Sequence, residues 1–207
     1  MKPIILDCTL RDGGYYNQWD FEISTVKKYL NAMDKSNVDI VEIGFRFASQ
    51  KEYLGPYAYS NEDFLNILHL SDYNLKYAVM INEKEASNYK GGIKGYIKNH
   101  FPNKAKTNIS IIRIAVNQNR VASAREIAYQ LKRQGFNVFL NIMQISRCNP
   151  NEIENIAKEV NSWSSVETLY FADSLGSLKA KQVETILSNL KKGWDKDIGF
   201  HGHNNCN

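Results

Sequence analysis

Residues 6–14 read Leu-Asp-Cys-Thr-Leu-Arg-Asp-Gly-Gly, and residues 200–205 read Phe-His-Gly-His-Asn-Asn. Each stretch closes a short apolar run of the kind that forms a β-strand. Polar side chains therefore stand at the ends of two strands that are far apart along the chain. If one binding site uses both stretches, the sheet must curl until its first and last strands are neighbours.

These two stretches contain ligands expected of a divalent metal site. His201 and His203 are two residues apart on a strand, so both imidazoles project to the same side. Asp12 adds an anionic third ligand, and three protein ligands leave open positions for water or substrate, as in catalytic sites. Arg11 lies beside them and can stabilise negative charge that develops on an enolate or carboxylate oxygen.

Between the two stretches, strand-like and helix-like segments alternate with little interruption. The strand candidates, nearly continuous apolar runs typical of parallel strands covered on both faces, are Ile4–Leu10, Ile40–Phe45, Lys76–Ile81, Ser110–Val116, Asn137–Met143, Glu167–Ala172 and Ile198–His203. The amphipathic helix candidates are Ser24–Ser36, Asn61–Ser71, Val121–Gln134, Asn151–Ser162 and Lys179–Lys191. Ser24, Asn61 and Asn151 are predicted N-caps, and Gly135 is a predicted helix stop.

This alternation predicts an α/β protein with a parallel sheet. Seven strands fit an open doubly wound sheet or most of a (β/α)8 barrel. Asp12, Asp173 and the two histidines fall at the carboxyl ends of their strands, and only in a barrel do those ends converge on one face. We therefore predict a (β/α)8 TIM-type barrel truncated after strand seven. Residues 1–207 would form a single domain that is incomplete at its C-terminus.

The bulk composition excludes several classes of protein. A hydrophobic fraction of 43% is typical of soluble globular domains. A net charge of +4 is too mild to indicate nucleic-acid binding, and no apolar run is long enough to span a membrane. The first residues lack the pattern of a signal peptide, which predicts a cytoplasmic protein. The lysine-rich stretch from Lys84 to Lys106 is predicted to be a solvated surface connection.

The small residues near the two motifs carry separate predictions. Cys8 is expected to be a small buried apolar residue, and Cys206 is not expected to join a site of hard ligands. Gly13 and Gly14 predict a tight turn that brings backbone N–H groups close to a ligand. The sheet of seven strands would have two open edges, which predicts association into a homo-oligomer.

Three further polar residues occupy strand ends or strand interiors. Glu42 lies among apolar residues of the second strand, where it either forms a buried structural ion pair or holds Arg11 or a metal-bound water. Asp173 ends the sixth strand, where it either orients a ligating histidine or caps the next helix. Arg46 follows the second strand and either binds a substrate carboxylate or phosphate or belongs to a packed surface loop.

At this point the motifs match a known group of proteins. Asp7-Cys-Thr-Leu-Arg-Asp-Gly13 and His201-Gly-His-Asn204 resemble the DRE-TIM metallolyase superfamily, which includes 3-hydroxy-3-methylglutaryl-CoA (HMG-CoA) lyase, isopropylmalate synthase and 4-hydroxy-2-oxovalerate aldolase. Val41-Glu-Ile-Gly-Phe45 and Ala172-Asp-Ser-Leu-Gly176 are similar to its second-strand and sixth-strand signatures. The resemblance covers the whole chain in order, and the 4-hydroxy-2-oxovalerate aldolase branch is the branch that we favour.

The resemblance implies roles for individual residues. Asp12, His201 and His203 would bind Mn²⁺, Mg²⁺, Co²⁺ or Zn²⁺, Arg11 would steady an enolate, and Glu42 would be a supporting acid. The wider catalytic and substrate-binding set that we predict also includes Tyr15, Gly13, Arg46 and Asp173.

Tyr15 marks a departure from the family pattern. The aldolase branch carries a proton-transferring histidine two residues after the glycine of Arg-Asp-Gly, and here that position is Tyr15. The synthase branch has Glu-Gln after that glycine, where this chain has Gly14-Tyr15. Tyr15 is predicted to transfer a proton if its pKa is lowered by the metal or Arg11, or else to stack on or hydrogen-bond to the substrate.

Taken together, the motifs predict a divalent-metal-dependent carbon–carbon lyase that acts on a 2-oxoacid such as pyruvate through an enolate. Two alternatives remain open at this point: a synthase that condenses an acyl-CoA with a 2-oxoacid, and a non-catalytic barrel module. The expected partner is a small-molecule 2-oxoacid rather than nucleic acid or a membrane.

Overall fold

In the computed structural model, which describes residues 2–203, seven parallel strands form one sheet in the sequential order β1 to β7. The strands are β1 Leu6–Asp7, β2 Ile40–Phe45, β3 Lys76–Asn82, β4 Ile109–Asn117, β5 Asn137–Met143, β6 Thr168–Ala172 and β7 Asp197–His201. Sequential order requires each crossover to step in the same direction, which curls the sheet. The result is the half-barrel form of a (β/α)8 fold, as predicted.

The helices lie between the strands. They are α1 Thr9–Asn17, α2 Ile23–Lys35, α3 Glu62–Leu68, α4 Glu83–Ser87, α5 Gly92–His100, α6 Arg125–Arg133, α7 Pro150–Asn161 and α8 Ala180–Leu190. Short 3₁₀ turns cover Pro56–Ala58, Leu70–Asp72, Lys104–Lys106, Gln118–Ala124 and Ile145–Arg147. None of the helices in the described range has the length and apolar character needed to cross a membrane.

The two faces of the sheet bury different kinds of side chain. The outer face joins the helices in one large apolar core, in which Leu30 and Leu131 pack with strand residues such as Ile112. The inner face has a small apolar layer at its bottom, formed by Ile40, Ala78 and Ile111 with Leu6 and Phe139. Because side chains alternate between the two faces of a strand, the next inward side chains lie above this layer, towards the carboxyl ends of the strands.

The first strand is much shorter than predicted. Ile4–Leu10 was expected to be extended, whereas β1 ends at Asp7 and helix α1 begins at Thr9. The Asp7 carboxylate accepts hydrogen bonds from the Thr9 backbone N–H at 2.9 Å and from its hydroxyl at 3.2 Å. These bonds turn the chain into the helix. The predicted tight turn at Gly13 and Gly14 is therefore wrong, because both glycines lie within α1.

The predicted helix boundaries are partly correct. Asn61 caps α3, since its side chain accepts from the Phe64 N–H at 3.0 Å, and Gly135 follows α6 with a φ of 93°. Ser24 and Asn151 are not N-caps. Helix α2 begins after Glu22, and α7 begins after Asn149, whose side chain forms a capping box with Glu152.

The lysine-rich stretch contains structure that the sequence prediction missed. Instead of a plain surface connection it contains helices α4 and α5. Its lysines are exposed apart from the half-buried Lys104, while Tyr96 and Ile97 of α5 are buried in the main core. The many lysines suggested a solvated loop, and the apolar face that packs α5 on the core consists of only a few residues.

Candidate active site

A cavity of about 450 Å³ opens at the carboxyl ends of the strands. Strands β2 to β7 each contribute side chains to it, and α1 contributes the residues of the Arg-Asp-Gly motif. The lining residues are Arg11, Asp12, Gly13, Tyr15, Tyr16, Phe45, Met80, Asn82, Ala115, Asn141, Met143, Ala172, Ser174, His201 and His203. The two motifs therefore meet in one cavity, on the face predicted from the strand ends.

The predicted metal ligands lie close together around the imidazole of His201. Its Nε2 atom is 3.4 Å from Asp12 Oδ2 and 3.3 Å from His203 Nε2. Ligand atoms that share a metal at bond lengths of about 2.1 Å are separated by about 3.0–3.5 Å. Both measured separations fall in that range.

Two hydrogen-bond acceptors, Asp12 Oδ2 and His203 Nε2, face the Nε2 atom of His201. His203 Nδ1 lies 2.8 Å from the backbone oxygen of Asp173, which can only accept, so Nδ1 carries the proton and Nε2 presents a lone pair. That lone pair and Asp12 Oδ2 both approach His201 Nε2. Burial and the nearby arginines lower the pKa of His201 to about 4, which keeps this imidazole neutral at pH 7. A convergence of acceptors on a neutral imidazole fits a bound cation.

Cys8 lies at the same place, contrary to the prediction that it is a buried apolar residue. Its Sγ atom is 3.2 Å from Asp12 Oδ2 and 3.9 Å from His201 Nδ1. Donor atoms of Cys8, Asp12 and His201 all lie within 4.8 Å of one another. Burial raises the pKa of the Cys8 thiol to about 12, so the thiol is protonated and donates to the carboxylate.

Arg11 is held from two sides. Its guanidinium pairs with the neighbouring Asp12 carboxylate, and its Nε donates to Glu42 Oε2 at 2.9 Å. Glu42 is completely buried, and the same Oε2 atom accepts from Arg113 Nη1 at 2.8 Å. Of the two roles predicted for Glu42, the structure therefore shows an ion pair, and one of its partners is Arg11.

Arg113 and Asn141 are inward residues of β4 and β5 that we did not predict as part of a site. The Arg113 guanidinium donates to Asn141 Oδ1 at 3.3 Å and lies over the Tyr170 ring, 4.6 Å from its centroid. Asn141 is buried except where it lines the cavity. The sequence did contain a signal for Arg113, because a charged residue inside the apolar run Ser110–Val116 needs a buried partner of opposite charge. Glu42, inside another apolar strand, needs one for the same reason.

Tyr15 and Gly13 line the cavity at its α1 side. The Tyr15 ring packs edge-on against Trp19 and Phe45 and remains 64% exposed. Partial burial against these rings raises the pKa of Tyr15, so the lowering that we considered for proton transfer is not found in the protein alone.

Asp173 acts through both its side chain and its backbone. Its carboxylate accepts from the backbone N–H groups of Ser177 and Leu178, each at 3.0 Å, which orders the turn after β6. Its backbone oxygen orients His203, as described above. Neither Asp173 nor Arg46 lines the cavity, although both were predicted to bind substrate. The Arg46 guanidinium is buried and bonded to the Ser60 backbone oxygen at 2.6 Å and to Glu62 at 2.9 Å.

The chain resembles several known proteins. A family model described as HMGL-like matches residues 2–207. The oxaloacetate decarboxylase of Mycobacterium tuberculosis is 20% identical over 99% of this chain and 57% of that protein. The 4-hydroxy-2-oxovalerate aldolase 2 of Rhodococcus opacus is 23% identical over 99% of this chain and 56% of that protein. The chain therefore spans little more than half the length of these curated relatives.

Solved structures show the same fold. The N-terminal domain of a candidate aldolase from Bacteroides vulgatus has a TM-score of 0.83 at 31% identity, with 99% of this chain and 66% of that chain covered. The HMG-CoA lyase of Brucella melitensis has a TM-score of 0.68 at 12% identity, with 97% and 71% covered.

Proposed function

Because this chain belongs to the HMGL-like family, we propose that it is a divalent-metal-dependent carbon–carbon lyase that acts on a 2-oxoacid through an enolate. The observation that carries the proposal is the cavity that Asp12, His201 and His203 line next to Arg11, with Asp12 Oδ2 and His203 Nε2 each within 3.4 Å of His201 Nε2. Neither motif alone makes such a site, because each supplies only part of the donor set.

Asp12, His201 and His203 would hold the metal. When bound, a divalent cation would polarise the 2-oxo group of the substrate and lower the free energy of the enolate. Imidazole ligands carry no charge when they bind a metal, and Asp12 contributes one negative charge. The bound divalent cation would therefore keep a net positive charge that attracts an anionic substrate. The Asp173 backbone oxygen holds the His203 ring in the orientation that presents Nε2.

Arg11 stabilises the negative charge that develops on the substrate oxygen. Its guanidinium lines the cavity and is fixed by Asp12 and Glu42, so it does not have to reorganise during the reaction. Glu42 is a positioning residue in this proposal, since it is fully buried below the cavity and acts through Arg11.

Tyr15 is the hydroxyl that we assign to proton transfer at the enolate carbon. Its ring lines the cavity, and the raised pKa of Tyr15 keeps the phenol protonated at neutral pH. In the cleavage direction the protonated phenol would give its proton to the enolate carbon as a general acid, and in the reverse step the phenolate would take a methyl proton from pyruvate.

The substrate class follows from the chemistry that the relatives share. One is named for oxaloacetate and another for 4-hydroxy-2-oxovalerate. Decarboxylation of the first and retro-aldol cleavage of the second both leave the enolate of pyruvate. We therefore propose a substrate whose cleaved bond lies next to a 2-oxo group, with pyruvate as one product.

The test is exchange of pyruvate methyl protons with deuterium, followed by NMR with added Mg²⁺ or Zn²⁺. We expect metal-dependent exchange that falls at least about 100-fold in Arg11→Lys, which keeps the charge but loses the fixed fork of donors. Arg125→Lys, on the exposed surface of α6, is the matched control and should exchange like the wild type. Circular dichroism confirms that each variant is folded.

Metal binding is measured separately by thermal unfolding. A metal that binds the folded protein stabilises it by about 3 kcal/mol at one hundred times its Kd. His203→Gln removes a donor that is exposed at the rim, so it should abolish this stabilisation without unfolding the protein. Wild-type protein that shows no exchange with any divalent metal would refute the proposed function.

A further inference from the structure

Asn141 sits on β5 where the buried interior meets the cavity. Its Oδ1 atom accepts a hydrogen bond from Arg113 Nη2 at 3.3 Å, and its side chain also lines the cavity. Arg113 is itself fixed, because its other terminal nitrogen donates to Glu42 Oε2 at 2.8 Å.

This contact determines which end of the carboxamide faces the ligand. A guanidinium has only donors, so the atom of Asn141 that faces Arg113 must be the acceptor oxygen. The Nδ2 group therefore points away from Arg113. Among the described residues Nδ2 has no hydrogen-bond partner, and it is not one of the buried polar atoms that lack one. Its two N–H donors are consequently available to the cavity.

Two other lining residues show the same arrangement. Asn82 Oδ1 accepts from the Lys84 backbone N–H at 2.9 Å, and Ser174 Oγ accepts from the Gln144 backbone N–H at 3.1 Å. In each case a protein donor occupies the acceptor oxygen, so that N–H or O–H donors remain for the cavity. A wall of donors is complementary to a ligand that is rich in oxygen acceptors.

We propose that Asn141 is a substrate-binding residue that donates hydrogen bonds from Nδ2 to a carboxylate or oxo oxygen of the substrate, with Arg113 as the positioning residue that fixes its orientation. This inference rests on the proposed function for the class of ligand, a 2-oxoacid. It adds a residue to the site that neither end motif contains.

Asn141→Asp separates this role from a purely structural one. The aspartate keeps an acceptor for Arg113 and adds an ion pair, so the interior remains satisfied. It also replaces the N–H donors with an anionic oxygen that repels an anionic ligand. Asn137→Asp is the matched control, because it makes the same change on the same strand at the exposed opposite end.

The experiment is calorimetric titration of purified wild type and variants with oxalate, a dianion with the oxygen arrangement of a 2-oxoacid, in the presence of Mg²⁺. Asn141→Asp loses hydrogen bonds to a charged group, which are stronger than those between neutral groups, so it should weaken oxalate binding at least about 10-fold. Asn137→Asp should bind like the wild type.

Three results would overturn the inference: wild type that does not bind oxalate, Asn141→Asp that binds like the wild type, or Asn137→Asp that weakens binding equally. If Asn141→Asp does not fold, Asn141→Ser replaces it, because serine retains an acceptor oxygen but is too short to donate to the ligand from the position of Nδ2. Unchanged oxalate affinity in Asn141→Ser would also overturn the inference. Wild type that binds oxalate in an Asn141-dependent way but does not exchange pyruvate protons would refute the proposed lyase and support the binding role.

Discussion

At the scale of single residues, the interior of the half-barrel depends on one carboxylate. Glu42 is surrounded by apolar strands and accepts hydrogen bonds from Arg11 and Arg113 through the same oxygen. Removing one partner of a buried ion pair costs about 3–5 kcal/mol, because the other charge is left without compensation. Glu42 thus connects the stability of the sheet to the orientation of the arginine in the cavity.

The neutral state of His201 predicts a pH dependence of stability in the metal-free protein. The unfolded chain protonates this imidazole near pH 6.5, whereas in the folded protein its pKa is about 4. Between these values the unfolded state binds more protons, so stability falls as the pH is lowered. Burial and the neighbouring arginines are the cause. We expect a loss of about 3 kcal/mol between pH 6.5 and pH 4 from this one residue.

Urea unfolding at a series of pH values measures the effect. In His201→Gln this part of the pH dependence should vanish, because glutamine does not titrate. His69→Asn is the matched control, since His69 is exposed and asparagine tolerates its left-handed backbone. Parallel pH curves for wild type and His201→Gln would show that the imidazole is not the source.

Some residues of the site could be predicted from sequence and others could not. Asp12 and the two histidines could be predicted to share one cavity because candidate metal ligands have recognisable residue types and spacing. Arg113 and Asn141 were missed because one polar residue in an apolar strand shows that a partner exists but not which one. Only the register of the sheet brings β2, β4 and β5 into the order that pairs them.

At the scale of elements, helix α1 carries the motif that was predicted to be strand and turn. The alternation in Asp7-Cys-Thr-Leu suits a strand, and two adjacent glycines suit a turn. The hydrogen bonds that Thr9 donates to the Asp7 carboxylate start the helix instead. The Trp19 indole donates to the Arg11 backbone oxygen at 2.8 Å, and its ring packs against Gly14. These tertiary contacts outweigh local propensity.

The two glycines of α1 should respond very differently to alanine. A Cβ on Gly14 would lie 1.9 Å from the Trp19 ring, while a Cβ on Gly13 would lie 3.6 Å from Phe21, an ordinary contact. We expect Gly14→Ala to destabilise the protein by about 1–3 kcal/mol through overpacking. Gly13→Ala should be neutral or stabilising by about 0.5–1 kcal/mol, because alanine favours a helix.

Thermal unfolding of the two variants tests this difference directly. The same substitution one residue away serves as the internal control. Equal melting temperatures for Gly14→Ala and Gly13→Ala would contradict the close packing of Trp19 on the helix.

Element type was easier to predict than element boundaries. The strands β2 to β5 are apolar runs of six to nine residues, and a run of that kind has few alternatives in an alternating chain. The predicted N-cap was wrong where two asparagines lie close together, at Asn149 and Asn151. Either residue type can cap a helix, and which one does so depends on where the helix begins.

At the scale of the whole molecule, β1 and β7 are the edge strands of the described sheet. Between them opens a second cavity of about 520 Å³, bordered by Ile4 and Phe200. Both side chains are exposed, Ile4 by 66% and Phe200 by 46%. Unpaired edges next to exposed apolar side chains favour association.

We therefore expect copies of this chain to associate through that edge. Light scattering over a range of concentrations should show oligomers in the wild type and a shift towards monomer in Phe200→Lys, which places a charge at the edge. Ile67→Lys changes a similarly exposed apolar residue on α3 and should leave the oligomers intact. A wild type that stays monomeric at high concentration would contradict the expectation.

The sequential strand order has a consequence for biosynthesis. Strands pair in the order in which they leave the ribosome, so most of the sheet can assemble while translation continues. Cys8 and His201, however, touch across a separation of 193 positions. In the nascent polypeptide the candidate ligands from the two motifs therefore stay apart until β7 has emerged and docked.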